Sequence, residues 1–93
     1  MSWLVLLSVK AARAAQQLPA QIQEVLGRLV KEIETRGPVR GNWANYSKLG
    51  KGQHHCHLNK MGRPTYVACW EVKDKESRLV EVYYVGTREK APY

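Results

Sequence analysis

The sequence predicts an α+β fold: an N-terminal strand, a two-helix hairpin, then a mostly antiparallel sheet of three to four strands packed on the helices. Three observations predict it. An apolar run rich in aromatic and branched residues opens the chain at 3–9. Apolar residues then recur at three- and four-residue intervals from Ile22 to Ile33, which is the period of a helix face. Finally, β-prone runs at 54–59, 66–72 and 79–85 are joined by short, charged, turn-rich segments, which favour antiparallel hairpins over crossovers. The 93 residues suffice for one small domain, 1–93, and show no repeat or low-complexity linker.

Each element has a local reason. Residues 3–9 read as a strand with both faces apolar, beside the last hairpin. Ser8 offers an N-cap for a short alanine-rich helix running to about Gln17. Pro19 ends that helix and suits the first turn of the next, whose stripe is Ile22, Leu26, Leu29, Val30 and Ile33. Gly37 is expected as a left-handed cap, and Pro38 cannot continue the helix. A glycine-punctuated loop over 38–52 leaves room for a short strand at 46–49. Trp70 and Tyr66 fall on one face of a central strand and are expected in the core.

Composition narrows the function classes. Lys and Arg number 15 against eight Asp and Glu, a formal charge of +7. The excess is uneven: residues 1–35 carry net +1 and residues 36–93 net +6. So basic a C-terminal part points to a polyanionic partner. Two cysteines, Cys56 and Cys69, are too few for a disulfide scaffold. The run at 3–9 is too short to span a bilayer and lacks the flanks of a signal peptide. A cytoplasmic protein with no membrane association is expected.

All three histidines lie within four residues, as His54, His55 and His57. In a strand, His55 and His57 share one face, and His54, Cys56 and Leu58 share the other. Lys48, Lys51, Lys60 and Arg63 surround them, and Arg88 and Lys90 follow the last strand. Imidazoles exchange protons near neutral pH, and guanidinium groups grip phosphate oxygens in a bidentate fork. Together they supply what RNA cleavage by its own 2′-hydroxyl requires: a base, an acid and positive charge on the phosphate. His57 or Tyr93 is the candidate base and His55 the candidate acid. Arg88 and Arg63 are candidate phosphate clamps, with Lys48, Lys51 and Lys90 as further RNA-binding cations. His54 is expected to have no role in the chemistry. Adjacent strand residues point apart, so the histidine–cysteine run does not assemble a zinc site; no metal and no cofactor are expected. Trp43 and Tyr46 sit in a basic loop, where aromatics either stack on unpaired bases or cap the sheet edge.

Several features in sequence order resemble one family. They are the βααβββ order, Lys48-Leu49 leading into the histidine strand, the strand ending Trp70-Glu71-Val72, and the tail Val85-Gly86-Thr87-Arg88 closing on Tyr93. The chain resembles the RelE/ParE superfamily of bacterial toxins over nearly its whole length. The resemblance implies a ribosome-dependent endoribonuclease that cuts messenger RNA, touches 16S ribosomal RNA, and is held inactive by a small acidic antitoxin. It matches His55 and His57 to two basic residues on the second hairpin strand, often lysines, and matches Arg88 and Tyr93 to a functional arginine and tyrosine. A further family arginine falls on Val67, so the chain departs from the pattern there, and Arg63 is the candidate substitute. Two rival readings follow from the same likeness: a non-catalytic topoisomerase inhibitor of the ParE kind, and an RNA-binding member without activity. The His55/His57 pair favours the nuclease, because ParE-like members usually lack acid–base residues on that strand.

Overall fold

In a computed structural model, residues 2–93 are described. Strand β1 (Leu4–Leu7) leads into helices α1 (Val9–Gln16) and α2 (Ala20–Arg36). Strands β2 (Ser47–Gly50), β3 (Gln53–His57), β4 (Tyr66–Asp74) and β5 (Leu79–Thr87) follow, and a 3₁₀ turn, Arg88–Lys90, closes the order. The five strands form one sheet in the order β1-β5-β4-β3-β2. β1 runs parallel to β5, with Val5 opposite Val80, and the other three pairings are antiparallel. The expected α+β architecture is therefore present. No helix among the described residues is long and apolar enough to cross a membrane.

The local signals act where the sequence places them. Ser8 Oγ accepts the Ala11 N–H at 3.0 Å and starts α1. Because that cap is already at residue 8, the strand expected over 3–9 shortens to four residues. Trp3 leaves it to donate its N–H to the Glu34 carbonyl at 2.7 Å. Pro19 occupies the N-cap of α2, one position before the first-turn site expected for it. Gly37 has the positive φ expected of a cap, +97°, but an extended ψ of 177°. Its N–H donates to Ile33 O at 2.9 Å, and a Cβ there would approach the Trp3 indole nitrogen to 3.3 Å.

One face of the sheet carries both helices. The core joins Ala11 of α1 and Leu26, Leu29 and Ile33 of α2 to Val5, Cys56, Ala68, Trp70, Val80, Val82 and Val85 of the strands. Both faces of β1 are apolar as read, but only one is buried: Leu4 is 57% exposed and Leu6 49%. β1 lies at the sheet edge and the helices cover only one of its faces, so its alternate side chains stay in water. Trp70 is fully buried as expected, its indole N–H bonded to Pro38 O at 2.9 Å, while Tyr66 packs at the margin of the core.

His54 belongs to this covered face. It is 3% exposed and stacks on Trp70 with centroids 5.8 Å apart and planes 10° apart. Its Nδ1 pairs with the Tyr46 hydroxyl at 2.7 Å. Tyr46 is thus a packing residue. Burial first, and the nearby Lys48 ammonium second, lower the His54 pKa from 6.5. The unfolded chain then takes up a proton below about pH 6.5 that the folded chain resists, so stability falls as pH drops from there toward the folded pKa. His57, also lowered, adds a loss of the same sign. In urea titrations at pH 7 and pH 5, His54→Phe should lose less stability on acidification than wild type. Equal losses would remove His54 as the sensitive group.

Candidate functional site

The opposite face of the sheet carries the two remaining histidines. Register sets His55 across from Cys69 and His57 across from Val67, both fully buried beneath them. His55 is 7% exposed. Its Nδ1 lies 3.0 Å from the hydroxyl and 3.4 Å from the carbonyl oxygen of Ser47, its partner on β2. A carbonyl only accepts, so both contacts are satisfied when Nδ1 carries a proton, which leaves Nε2 as the exchangeable position. The His55 and His57 rings are 6.2 Å apart, edge to face.

The tail completes the arrangement. Gly86 allows the exit from β5, because a Cβ there would lie 2.8 Å from the Tyr84 hydroxyl, which itself donates to Thr87 O at 2.6 Å. The Arg88 N–H donates to Thr65 O at 2.8 Å and ties the 3₁₀ turn to the loop before β4. The chain then returns over the sheet, bringing the Tyr93 ring to 4.5 Å from that of His55.

Electrostatics separate the roles of these groups. Burial, the neighbouring His55 and the Arg88 charge all lower the His57 pKa, so its ring is neutral at pH 7 and able to accept a proton. Burial raises the Tyr93 pKa, and Cys69 adds to this against the pull of Arg88. The phenol therefore keeps its proton. In that form it can donate a hydrogen bond or a proton. The thiols of Cys56 and Cys69 are each pushed up to about 12, mainly by burial, so neither forms a thiolate near neutrality.

The fold brings His55, His57, Arg88 and Tyr93 together. Arg63 shares a cleft of about 440 Å³ with Arg88, Thr65 and Thr87. Val67, where the family pattern has an arginine, is sealed in the sheet, so the cations of this face come from the flanking segments. The remaining candidates lie elsewhere. Lys48 pairs with His54 rather than His55, which directs it to the helix side of the edge. Lys51 is exposed in the turn between β2 and β3, and Lys90 is exposed on the 3₁₀ turn. Among the described residues, no group of three or more His, Cys, Asp or Glu side chains is placed to hold a metal ion.

Two features escaped the sequence reading. Ser47, which pins His55, becomes visible only once the β2–β3 register is known. The second is a network on Glu32, whose Oε1 accepts from Arg40 Nη1 at 2.9 Å and from Asn42 Nδ2 and Trp43 Nε1, both at 3.0 Å. The bonds from Asn42 and Trp43, with Arg40 behind them, hold the Glu32 carboxyl below the usual carboxylate range. They also lash the loop before β2 to α2.

No protein-family model and no curated protein sequence matches the chain. Solved structures do. An arginine-to-alanine double mutant of the E. coli toxin RelE in the free state superposes with a TM-score of 0.70 at 18% identity, over 98% of this chain and 88% of that one. The archaeal RelE–RelB complex from Pyrococcus horikoshii gives 0.63 at 13% identity, over 98% and 100%. The toxin–antitoxin complex RelBE2 from Mycobacterium tuberculosis gives 0.55 at 21% identity, over 95% and 100%. The architecture is thus that of a RelE-like toxin fold, matched along almost the whole chain.

Proposed function

We propose that this protein is the toxin of a type II toxin–antitoxin system and cleaves messenger RNA on the ribosome. The observation that carries this reading is the convergence of His55, His57, Arg88 and Tyr93 on the helix-free face of a RelE-like sheet. His57 takes the proton of a ribose 2′-hydroxyl, whose oxygen attacks the adjacent phosphorus. Arg88, with Arg63 across the cleft, holds the extra negative charge of the five-coordinate phosphate. The P–O5′ bond breaks, and His55 protonates the departing oxygen, with the Tyr93 phenol against its ring as a second donor. The products are a 2′,3′-cyclic phosphate and a free 5′-hydroxyl. Side chains alone complete the proton transfers.

An acidic antitoxin is the fitting partner for a chain of +7. Two of the structural neighbours are themselves complexes with RelB-type chains or toxin–antitoxin pairs, which supports the same partner here. The test is induction of the wild-type chain alone, with cleavage of message assayed with and without ribosomes. Growth should stop, and message should be cut on ribosomes. Vigorous growth would remove both toxicity and antitoxin control. Arrest without any RNA cleavage would transfer the protein to the topoisomerase-inhibitor reading.

A further inference from the structure

A second cleft, of about 290 Å³, opens between α2 and the loop before β2, and His57 forms part of its wall. Arg28, Glu32, Trp43 and Lys60 line it too. We propose that this cleft is a subsite for one unpaired ribonucleotide flanking the scissile phosphate, its base stacked on Trp43 and its phosphate held by Arg28 and Lys60. The proposal rests on the reading of the protein as a nuclease that acts through His57.

Three observations carry it. His57 ends β3 and donates its N–H to Ala44 O in the cleft wall at 2.8 Å, so a strand that crosses the sheet edge at this residue links the cleft on the helix side to the proposed reaction centre on the other. Trp43 is fixed in advance, because its indole N–H, the Asn42 amide and the Arg40 guanidinium all converge on one Glu32 oxygen. A ring held in place before the ligand arrives loses little freedom on stacking a base. Arg28 and Lys60 are exposed, and no ion pair among the described residues occupies either of them.

The chemistry of the lining also sets a preference. Among the described hydrogen bonds, none engages the second carboxylate oxygen of Glu32, Oε2. An ionised carboxylate accepts from the exocyclic amine of cytosine or adenine, or from the N1–H and N2 amine edge of guanine. Uracil offers one N–H flanked by two carbonyls, which the carboxylate repels. The subsite therefore selects against uracil.

A labelled 2′-O-methyl RNA heptamer tests this, since without a free 2′-hydroxyl it cannot be cut. Its affinity should fall about tenfold or more in Trp43→Leu and recover substantially in Trp43→Phe. Lys60→Ala should weaken binding and flatten the slope of log affinity against log salt by about 0.7. Wild type should bind an all-cytosine heptamer more tightly than an all-uracil one, and Glu32→Gln should erase the difference. If Trp43→Leu fails to fold, the exposed Lys60→Ala and Arg28→Ala decide the matter. Wild-type affinity in those two variants, or no binding by the wild type, overturns the subsite. Should those variants bind normally while the wild type still cuts message, the subsite falls and the nuclease reading stands. Should the wild type cut nothing while the variants still lose affinity, the nuclease reading falls, and with it the placing of the cleft beside a scissile phosphate; only a nucleotide-binding cleft is left.

Discussion

His57→Ala should slow single-turnover cleavage of ribosome-bound message by roughly 10²–10⁴-fold, the usual contribution of a general acid or base. The domain should remain folded, because His57 is half-buried on the helix-free face and, among the described residues, its side chain makes no hydrogen bond that holds the sheet. The pH profile supplies a second readout. A base must be unprotonated to act, so the wild-type rate should rise with pH through the His57 pKa and level off above it. Burial, His55 and Arg88 all lower that pKa from 6.5, so the rise should be centred below pH 6.5 and the plateau reached by neutrality. The variant should lose that limb. Arg88→Lys should recover little of what Arg88→Ala loses, since an ammonium keeps the charge without the fork. Cleavage by His57→Ala at the wild-type rate would refute the assignment of the base.

Trp70→Ala is expected to have the largest effect on stability, about 3–5 kcal/mol. The ring is fully buried on a central strand. Removing it empties the space beside the Tyr46 and His54 rings, which lie 6.2 and 5.8 Å away. It also leaves the Pro38 carbonyl without its indole donor. Against a total of roughly 5–15 kcal/mol for a small domain, that loss brings the fold close to its threshold. Trp70→Phe, which keeps an aromatic ring but not the N–H, should lose less than half as much. Urea denaturation monitored by circular dichroism measures both, and a loss below about 1 kcal/mol for the alanine variant would contradict this account.

Much of this was legible in the sequence because periodicity is local. The stripe from Ile22 to Ile33 set α2, and strand alternation alone separated His54 from His55 and His57. Both followed from the geometry of a single element. What could not be read depends on which element lies beside which. Leu4 and Leu6 look like core residues until β1 is seen at the edge of a sheet covered on one side. Glu32 looks like a solvated helix residue until the following loop folds back and presents three donors to it. Lys48 looks like a neighbour of His55 until the β2–β3 register pairs it with His54. The site was legible in the same measure: the histidine face came from alternation, whereas the return of Tyr93 over His55 depends on a turn whose direction no periodicity encodes.

The parallel pairing of β1 with β5 has a consequence for how the protein is made. Leu4 finds its partner at Leu79, so the first strand to leave the ribosome waits for the last. Until β5 emerges, the helices have no completed sheet to cover, and pairing over so long a span closes slowly. Arg88 and Tyr93 come later still. A chain that ends before Leu79 therefore leaves β1 without its partner, and one that ends before Thr87 keeps that pairing but lacks Arg88 and Tyr93. The strand that completes the sheet and the segment that carries Arg88 and Tyr93 are thus the final parts of the fold to arrive.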